Sequence, residues 1–126
     1  MKLYLQLIFM LSISFSFAQH TKENLSKAEI IKEYQTNDGT IIKAGDKVNI
    51  ALPSAGHQFI YITQGGIPCG TIIANQSYTI DKIRVLGNKK RGFKAFALFK
   101  GFGLSCYVEI ETALMVGEVT FTNSNQ

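Results

Sequence analysis

The chain has no tryptophan and only two cysteines and two histidines among its 126 residues. It contains neither a C-x-x-C nor an H-x-x-x-H motif, and no acidic loop has EF-hand spacing, so we expect no metal site and no cofactor. Glu109 and Glu111 alternate along an expected strand and form the one conceivable carboxylate pair. Because a sugar site usually has a tryptophan platform, we interpret the pair as a solvated strand face and not as a glycosidase centre.

Histidine is also scarce, and this limits nucleophilic catalysis. His57 is the only histidine apart from His20, and neither cysteine lies in a recognised nucleophile signature. We therefore favour a non-enzymatic protein. The alternative hypothesis is an envelope hydrolase in which His57 activates a cysteine or serine nucleophile.

The chain has one long apolar run, at residues 3–17, which follows Lys2 and ends in Ser16-Phe17-Ala18. This arrangement is typical of a secretory signal peptide, and a glutamine and several serines within the run argue against a retained anchor. The first cysteine is Cys69, so no thiol is placed to carry a lipid at the cleavage point. We predict removal of residues 1–18, a mature protein that begins at Gln19, no membrane span after that removal, and a periplasmic or secreted location.

Removal of residues 1–18 leaves 108 residues, which is enough for one small domain and too few for two. In an oxidising compartment Cys69 and Cys106 can form a disulfide. The alternative is two buried free thiols, because Cys106 begins an alternating strand pattern and buried cysteine packs as a small apolar residue. The sequence leaves both interpretations open.

Near the expected mature N-terminus, Ser26 and Glu29 form a capping-box pattern, and Leu25 and Ile30 have the spacing of a hydrophobic staple. The pattern predicts a short helix over residues 27–34.

From Thr40 onward the apolar residues alternate with a period of two, which is typical of an all-β domain. The pattern predicts a mainly β fold, a small SH3-like or OB-like barrel or rolled sheet with one short N-terminal helix packed on it. We expect a hairpin connection at 44–46, a bulge near 81–82, a polar hairpin loop at 87–92 and a central strand at 93–100. The remaining expected elements are strands at 40–43, 47–52, 59–63, 71–74, 78–86, 106–111 and 118–122, and a helical turn at 112–116.

Charge is distributed unevenly along the chain. Residues 82–100 contain seven basic residues and no acidic one, whereas the rest of the chain after residue 18 has five basic and nine acidic residues. Such a separation attracts anions, although long cations also protect an exposed hairpin against edge pairing. The candidate binding residues are Lys82, Arg84, Lys89, Lys90, Arg91 and Lys94.

Residues 91–99 resemble the RNP1 strand of RNA-binding domains. However, Phe93 and Phe96 are three residues apart and fall on opposite strand faces, so they cannot stack two bases together. We interpret these phenylalanines as core residues. The expected partner is therefore an anionic envelope component or a peptide and not nucleic acid, while the oligomeric state is not indicated.

One further pattern is spread over five segments, at 17–19, 34–39, 42–46, 87–96 and 111–119. Together these segments resemble a family of small exported bacterial proteins without an assigned function. The resemblance implies export and a compact β domain, and it supplies no catalytic residue. We thus predict an exported, non-enzymatic domain that is structural or weakly binds an anionic or peptide partner through the hairpin at 82–100.

Overall fold

The computed structural model describes residues 20–123. The expected signal peptide, residues 1–18, lies outside the described residues, as do Gln19 and residues 124–126. Within residues 20–123, no helix is long and apolar enough to cross a membrane.

The described part of the chain consists mainly of short strands. They are β1 (His20–Thr21), β2 (Glu29–Ile31), β3 (Glu33–Gln35), β4 (Ile41–Lys43), β5 (Lys47–Ile50), β6 (Gln58–Gln64), β7 (Ile67–Gly70), β8 (Ser77–Thr79), β9 (Lys82–Asn88), β10 (Gly92–Gly101), β11 (Leu104–Glu109) and β12 (Val119–Thr122). Helix α1 covers Ile110–Met115, and 3₁₀ turns cover Lys22–Asn24 and Thr71–Ile73.

These strands form three sheets. The largest has six strands in the order β2-β9-β10-β11-β6-β7, and the two smaller sheets have the orders β1-β3-β4 and β12-β5-β8. The mainly β prediction is confirmed, and β10 lies inside the large sheet, as expected for a strand that is apolar on both faces. Barrel closure is not confirmed, because β2 and β7 are the two edges of this sheet order.

A single hydrophobic core joins the three sheets. Tyr34 and Ile42 enter it from the β1-β3-β4 sheet, and Val48 enters it from β5. The ring of Tyr78 on β8 stacks on Phe99 of β10 with a centroid distance of 4.5 Å, so a direct aromatic contact ties the third sheet to the large one.

The predicted helix over 27–34 is wrong, because this segment forms β2 and β3 with a bend at Lys32. Ile31 pairs with Ile83 of β9, whereas Tyr34 pairs with Ile42 of β4. The two apolar residues are three apart, as on a helix, yet they serve two different sheets. Non-local pairing thus overrides the local capping signal.

The predicted connection at 44–46 forms, but it does not make a hairpin. Gly45 has φ +94 and the N–H of Asp46 donates to the carbonyl of Lys43 at 3.1 Å. The strands on either side then diverge, because β4 pairs with β3 while β5 lies between β12 and β8. The strand expected at 47–52 ends at Ile50, and Leu52 beyond it is 65% exposed.

Two further expectations differ in detail. The irregularity expected near 81–82 is a change of sheet, since β8 ends at Thr79 and β9 begins at Lys82. Residues 71–73 form a 3₁₀ turn where a strand was expected, and the preceding segment is strand β7. The helical turn near 112–116 and the final strand are confirmed as α1 and β12.

Candidate functional site

The tip of the basic hairpin is an ordered loop. Asn88 pairs with Gly92, and the side chain of Asn88 accepts the N–H of Arg91 at 2.7 Å. Gly92, which follows the loop, has φ +86, a left-handed conformation that glycine adopts without strain. Lys89, Lys90 and Arg91 therefore stand side by side at the tip, and all three are exposed.

The cations along the strands are less free than those at the tip. Lys94 Nζ lies 2.6 Å from Glu109 Oε1, and Arg84 donates to the hydroxyl of Tyr107 at 3.1 Å. Within residues 20–123, by contrast, Lys89, Lys90 and Arg91 form no ion pair. Of the six predicted binding residues, the three at the tip and Lys82 remain available to a ligand. The charge of Lys94 is balanced by Glu109.

Glu109 and Glu111 are not the solvated strand face that the alternation predicted. Glu109 is 16% exposed and is paired with Lys94, and Glu111 lies in helix α1. The carboxylate of Glu111 accepts the hydroxyl of Tyr34 and, at 3.2 Å, the N–H of Asn37. Burial of the phenol, together with this bond and the charge of Glu111, raises the pKa of Tyr34. Glu109 thus links β11 to β10, and Glu111 links α1 to β3.

A second surface feature is an apolar groove of about 590 Å³. It lies between β7, the 3₁₀ turn Thr71–Ile73 and the connection from β10 to β11, and none of the described residues that line it carries a charge. Four side chains at its margin are exposed by 61% to 68% although they are large and apolar. They are Ile67, Ile72, Phe102 and Leu104.

Cys69 and Cys106 lie at the buried side of this groove. Both thiols are free, and each affects the pKa of the other. Burial, reinforced by the neighbouring Cys106, raises the pKa of the Cys69 thiol to about 12, and burial also raises the pKa of Cys106. Since the thiolate is the nucleophile, neither cysteine is activated for catalysis at neutral pH.

Phe102 occupies an unusual backbone conformation at the margin of the groove. It has φ +55 in the two-residue turn between Gly101 and Leu104, and Gly103 next to it has φ +83. A left-handed conformation costs a residue with a Cβ roughly 1 to 2 kcal/mol, and asparagine or glycine is preferred there. Phe102 is nevertheless 68% exposed, so packing within the described chain does not compensate for the strain.

His57 does not assemble a catalytic pair in the described part of the chain. It lies exposed between Ala55 and β6, and its side chain makes no hydrogen bond within residues 20–123. The nearby hydroxyl of Ser54 donates to Glu118 at 2.8 Å. Glu118 is fully buried and also accepts the backbone N–H groups of Ser54, Ile60 and Tyr61, so this carboxylate fastens the 51–57 loop to β6.

Residues 20–123 contain no group of three or more His, Cys, Asp or Glu side chains that is arranged to hold a metal ion. Comparison with protein-family models, with curated proteins and with solved structures finds no match to this chain. The resemblance to small exported bacterial proteins therefore stays a prediction, and the site has to be interpreted from its own chemistry.

The sequence indicated the basic hairpin but missed the apolar groove. The groove residues belong to two distant stretches of the chain, 64–73 and 102–107. The pattern placed 71–74 in a strand and left Ile67 outside any element. One local signal was present: Phe102 precedes Gly103 between two strands, where a turn with positive φ prefers small or polar residues.

Proposed function

We propose that this protein is an exported, non-enzymatic β domain that binds an anionic partner through the basic hairpin tip. The supporting observation is the row of three exposed cations, Lys89, Lys90 and Arg91, which lack an acidic partner among residues 20–123. A cluster of basic side chains at an exposed tip attracts phosphate-bearing or acidic surfaces over about a Debye length.

The geometry of the tip favours contact with an extended anionic surface. The loop is held by the bond from the N–H of Arg91 to Asn88, so the cations are presented without further ordering of the backbone. The three tip cations are all exposed on one hairpin loop, which favours a surface such as an acidic glycan or lipid headgroups over a single small ion.

The hydrolase alternative lacks comparable support. His57 has no nucleophile within hydrogen-bonding distance in the described residues, both thiols have raised pKa values, and Ser54 is committed to Glu118. Anion binding is therefore the better supported of the two functions.

The proposal is tested with a triple variant, Lys89→Ser, Lys90→Ser and Arg91→Ser, in protein purified after expression of the full chain. A matched control replaces Lys27, Lys32 and Lys47, three exposed cations elsewhere, with serine, so both variants lose the same net charge. Binding to vesicles that contain anionic lipid and elution from heparin are measured against ionic strength.

We expect the hairpin variant to bind anionic vesicles roughly a hundredfold more weakly, since each cation near such a surface contributes about 1 kcal/mol. The control should bind nearly as well as the unmodified protein. Equal losses in both variants would attribute binding to net charge, and unchanged retention of the hairpin variant would refute the proposal.

A further inference from the structure

The apolar groove presents a projection and a recess on the same patch. Phe102 projects from the turn between β10 and β11, and the recess between β7 and the 3₁₀ turn Thr71–Ile73 begins beside it. Within residues 20–123, the ring of Phe102 is not buried, and its backbone conformation is unfavourable. A partner that buries this ring would compensate for the strain.

We propose that the apolar groove is a self-association surface, occupied by a second copy of this chain in a two-fold symmetric dimer. In such an arrangement each Phe102 enters the groove of the other copy beside Ile67 and Ile72. A two-fold interface requires the same patch on both subunits to be complementary to itself, and a projection beside a recess meets that requirement.

The exposed apolar area supports a second copy as the occupant. Ile67, Ile72, Phe102 and Leu104 are each about two-thirds exposed. At about 200 Å² for a large apolar residue, the four present on the order of 500 Å² in each copy. Two copies would then bury about 1,000 Å² in total, which is the lower limit for a specific protein interface and indicates a weak dimer.

The charge distribution also permits two copies to meet at this surface. The described lining of the groove is uncharged, whereas the cationic loop at Lys89–Arg91 lies at the other end of β10. The ten residues of β10 separate the two ends by roughly 30 Å at a strand rise of about 3.3 Å per residue. Approach through the grooves therefore keeps the two basic tips apart and leaves both accessible.

The test is sedimentation equilibrium of protein purified after expression of the full chain, over a wide concentration range. The decisive variant is Phe102→Asn, because asparagine tolerates the left-handed conformation of this turn. The matched control is Leu52→Asn, which replaces another large apolar side chain of similar exposure outside the groove.

We expect a monomer–dimer equilibrium with a dissociation constant on the order of 10 to 100 µM, because the interface is small. Phe102→Asn should weaken association at least tenfold while its melting temperature stays equal or rises, and Leu52→Asn should associate normally. A protein that is monomeric at all concentrations, or a dimer that persists in Phe102→Asn, would overturn the proposal. The serine variant of Lys89, Lys90 and Arg91 should dimerise normally, so loss of anion binding and loss of dimerisation are distinguishable.

Discussion

The thiols of Cys69 and Cys106 are close enough to affect each other's pKa although the strands that carry them are not neighbours. Cys69 lies on β7 and Cys106 on β11, and β6 separates these strands in the large sheet. Cys106 also accepts the side-chain amide of Gln64 on β6 at 3.5 Å. Side chains on the core face therefore connect three successive strands beneath the apolar groove.

The first prediction concerns the reactivity of these thiols. Because burial raises the pKa values of both, the reactive thiolate is scarce at neutral pH. We expect alkylation by iodoacetamide at neutral pH to be at least a hundredfold slower in the native protein than in urea, and to accelerate as the pH rises toward about 12. Mass spectrometry of quenched samples measures both rates.

Single variants Cys69→Ala and Cys106→Ala assign the rates, and equal reactivity in native and unfolded protein would contradict this account. The same inertness bears on the disulfide that the sequence left open as an alternative. Oxidised glutathione should leave the folded, reduced protein unchanged, whereas refolding in its presence should remove the mass of two hydrogen atoms. A bridge formed in this way should stabilise the fold by roughly 3 to 4 kcal/mol.

The second prediction concerns Gly87, which pairs with Phe93 close to the tip of the basic hairpin. A Cβ at this position would lie 2.1 Å from the carbonyl oxygen of Gly92 and 2.9 Å from the Cα of Phe93. Both are backbone atoms that cannot rotate away, so we expect Gly87→Ala to lower the free energy of unfolding by about 3 kcal/mol or more. Gly92→Ala is the control, since its Cβ would meet no atom within 4 Å, and it should lose only about 1 kcal/mol. Urea unfolding of both variants measures the difference, and equal losses would refute the clash.

The elements that the sequence predicted correctly are those specified by neighbouring residues. The loop at Lys89–Arg91 is marked by flanking glycines and a polar run, and β10 is marked by apolar residues on both faces. The segment at 27–34 was misassigned because spacing by three residues suits a helix as well as two short strands that serve different sheets. Neither the contact between Cys69 and Cys106 nor the groove could be predicted, since both depend on which distant strands pair.

The third prediction concerns the hydroxyl of Tyr34, which ties β3 to the first turn of α1 through Glu111. Tyr34→Phe removes this bond and should lower the free energy of unfolding by about 1 kcal/mol, since Glu111 keeps the N–H of Asn37.

The same hydroxyl makes stability depend on pH, because the pKa of Tyr34 is raised in the folded protein. The contribution of Tyr34 to stability is complete below the unfolded pKa of about 10 and is lost as the pH rises beyond it. Alkaline titration, followed by the absorbance of ionised tyrosine, counts the phenols that ionise only when the protein unfolds. In Tyr34→Phe this number should be smaller by one. The control Tyr61→Phe should retain that transition, and a wild-type protein whose phenols all ionise before unfolding would contradict the expectation.

The fourth prediction concerns Glu118, whose carboxylate has no cationic partner within residues 20–123 and is held by hydrogen bonds from backbone N–H groups and the hydroxyl of Ser54. Burial alone would raise the pKa of Glu118, but the hydrogen bonds from Ile60, Tyr61 and Ser54 outweigh it and hold the pKa below its usual range. The resulting stability is present above the unfolded pKa of about 4.3 and is lost as the pH falls through the lower folded value.

Glu118→Gln supplies one acceptor oxygen where two are used, and its amide hydrogens face backbone donors. We therefore expect a loss of about 3 kcal/mol at neutral pH. When the pH falls from neutral to about 3, the free energy of unfolding should decrease less in this variant than in the unmodified protein, because the variant lacks the carboxylate that becomes protonated. Urea unfolding across this range, with Glu23→Gln at an exposed carboxylate as the control, measures both effects. An acid dependence that is the same in all three proteins would show that the hydrogen bonds to Glu118 do not stabilise its charged form.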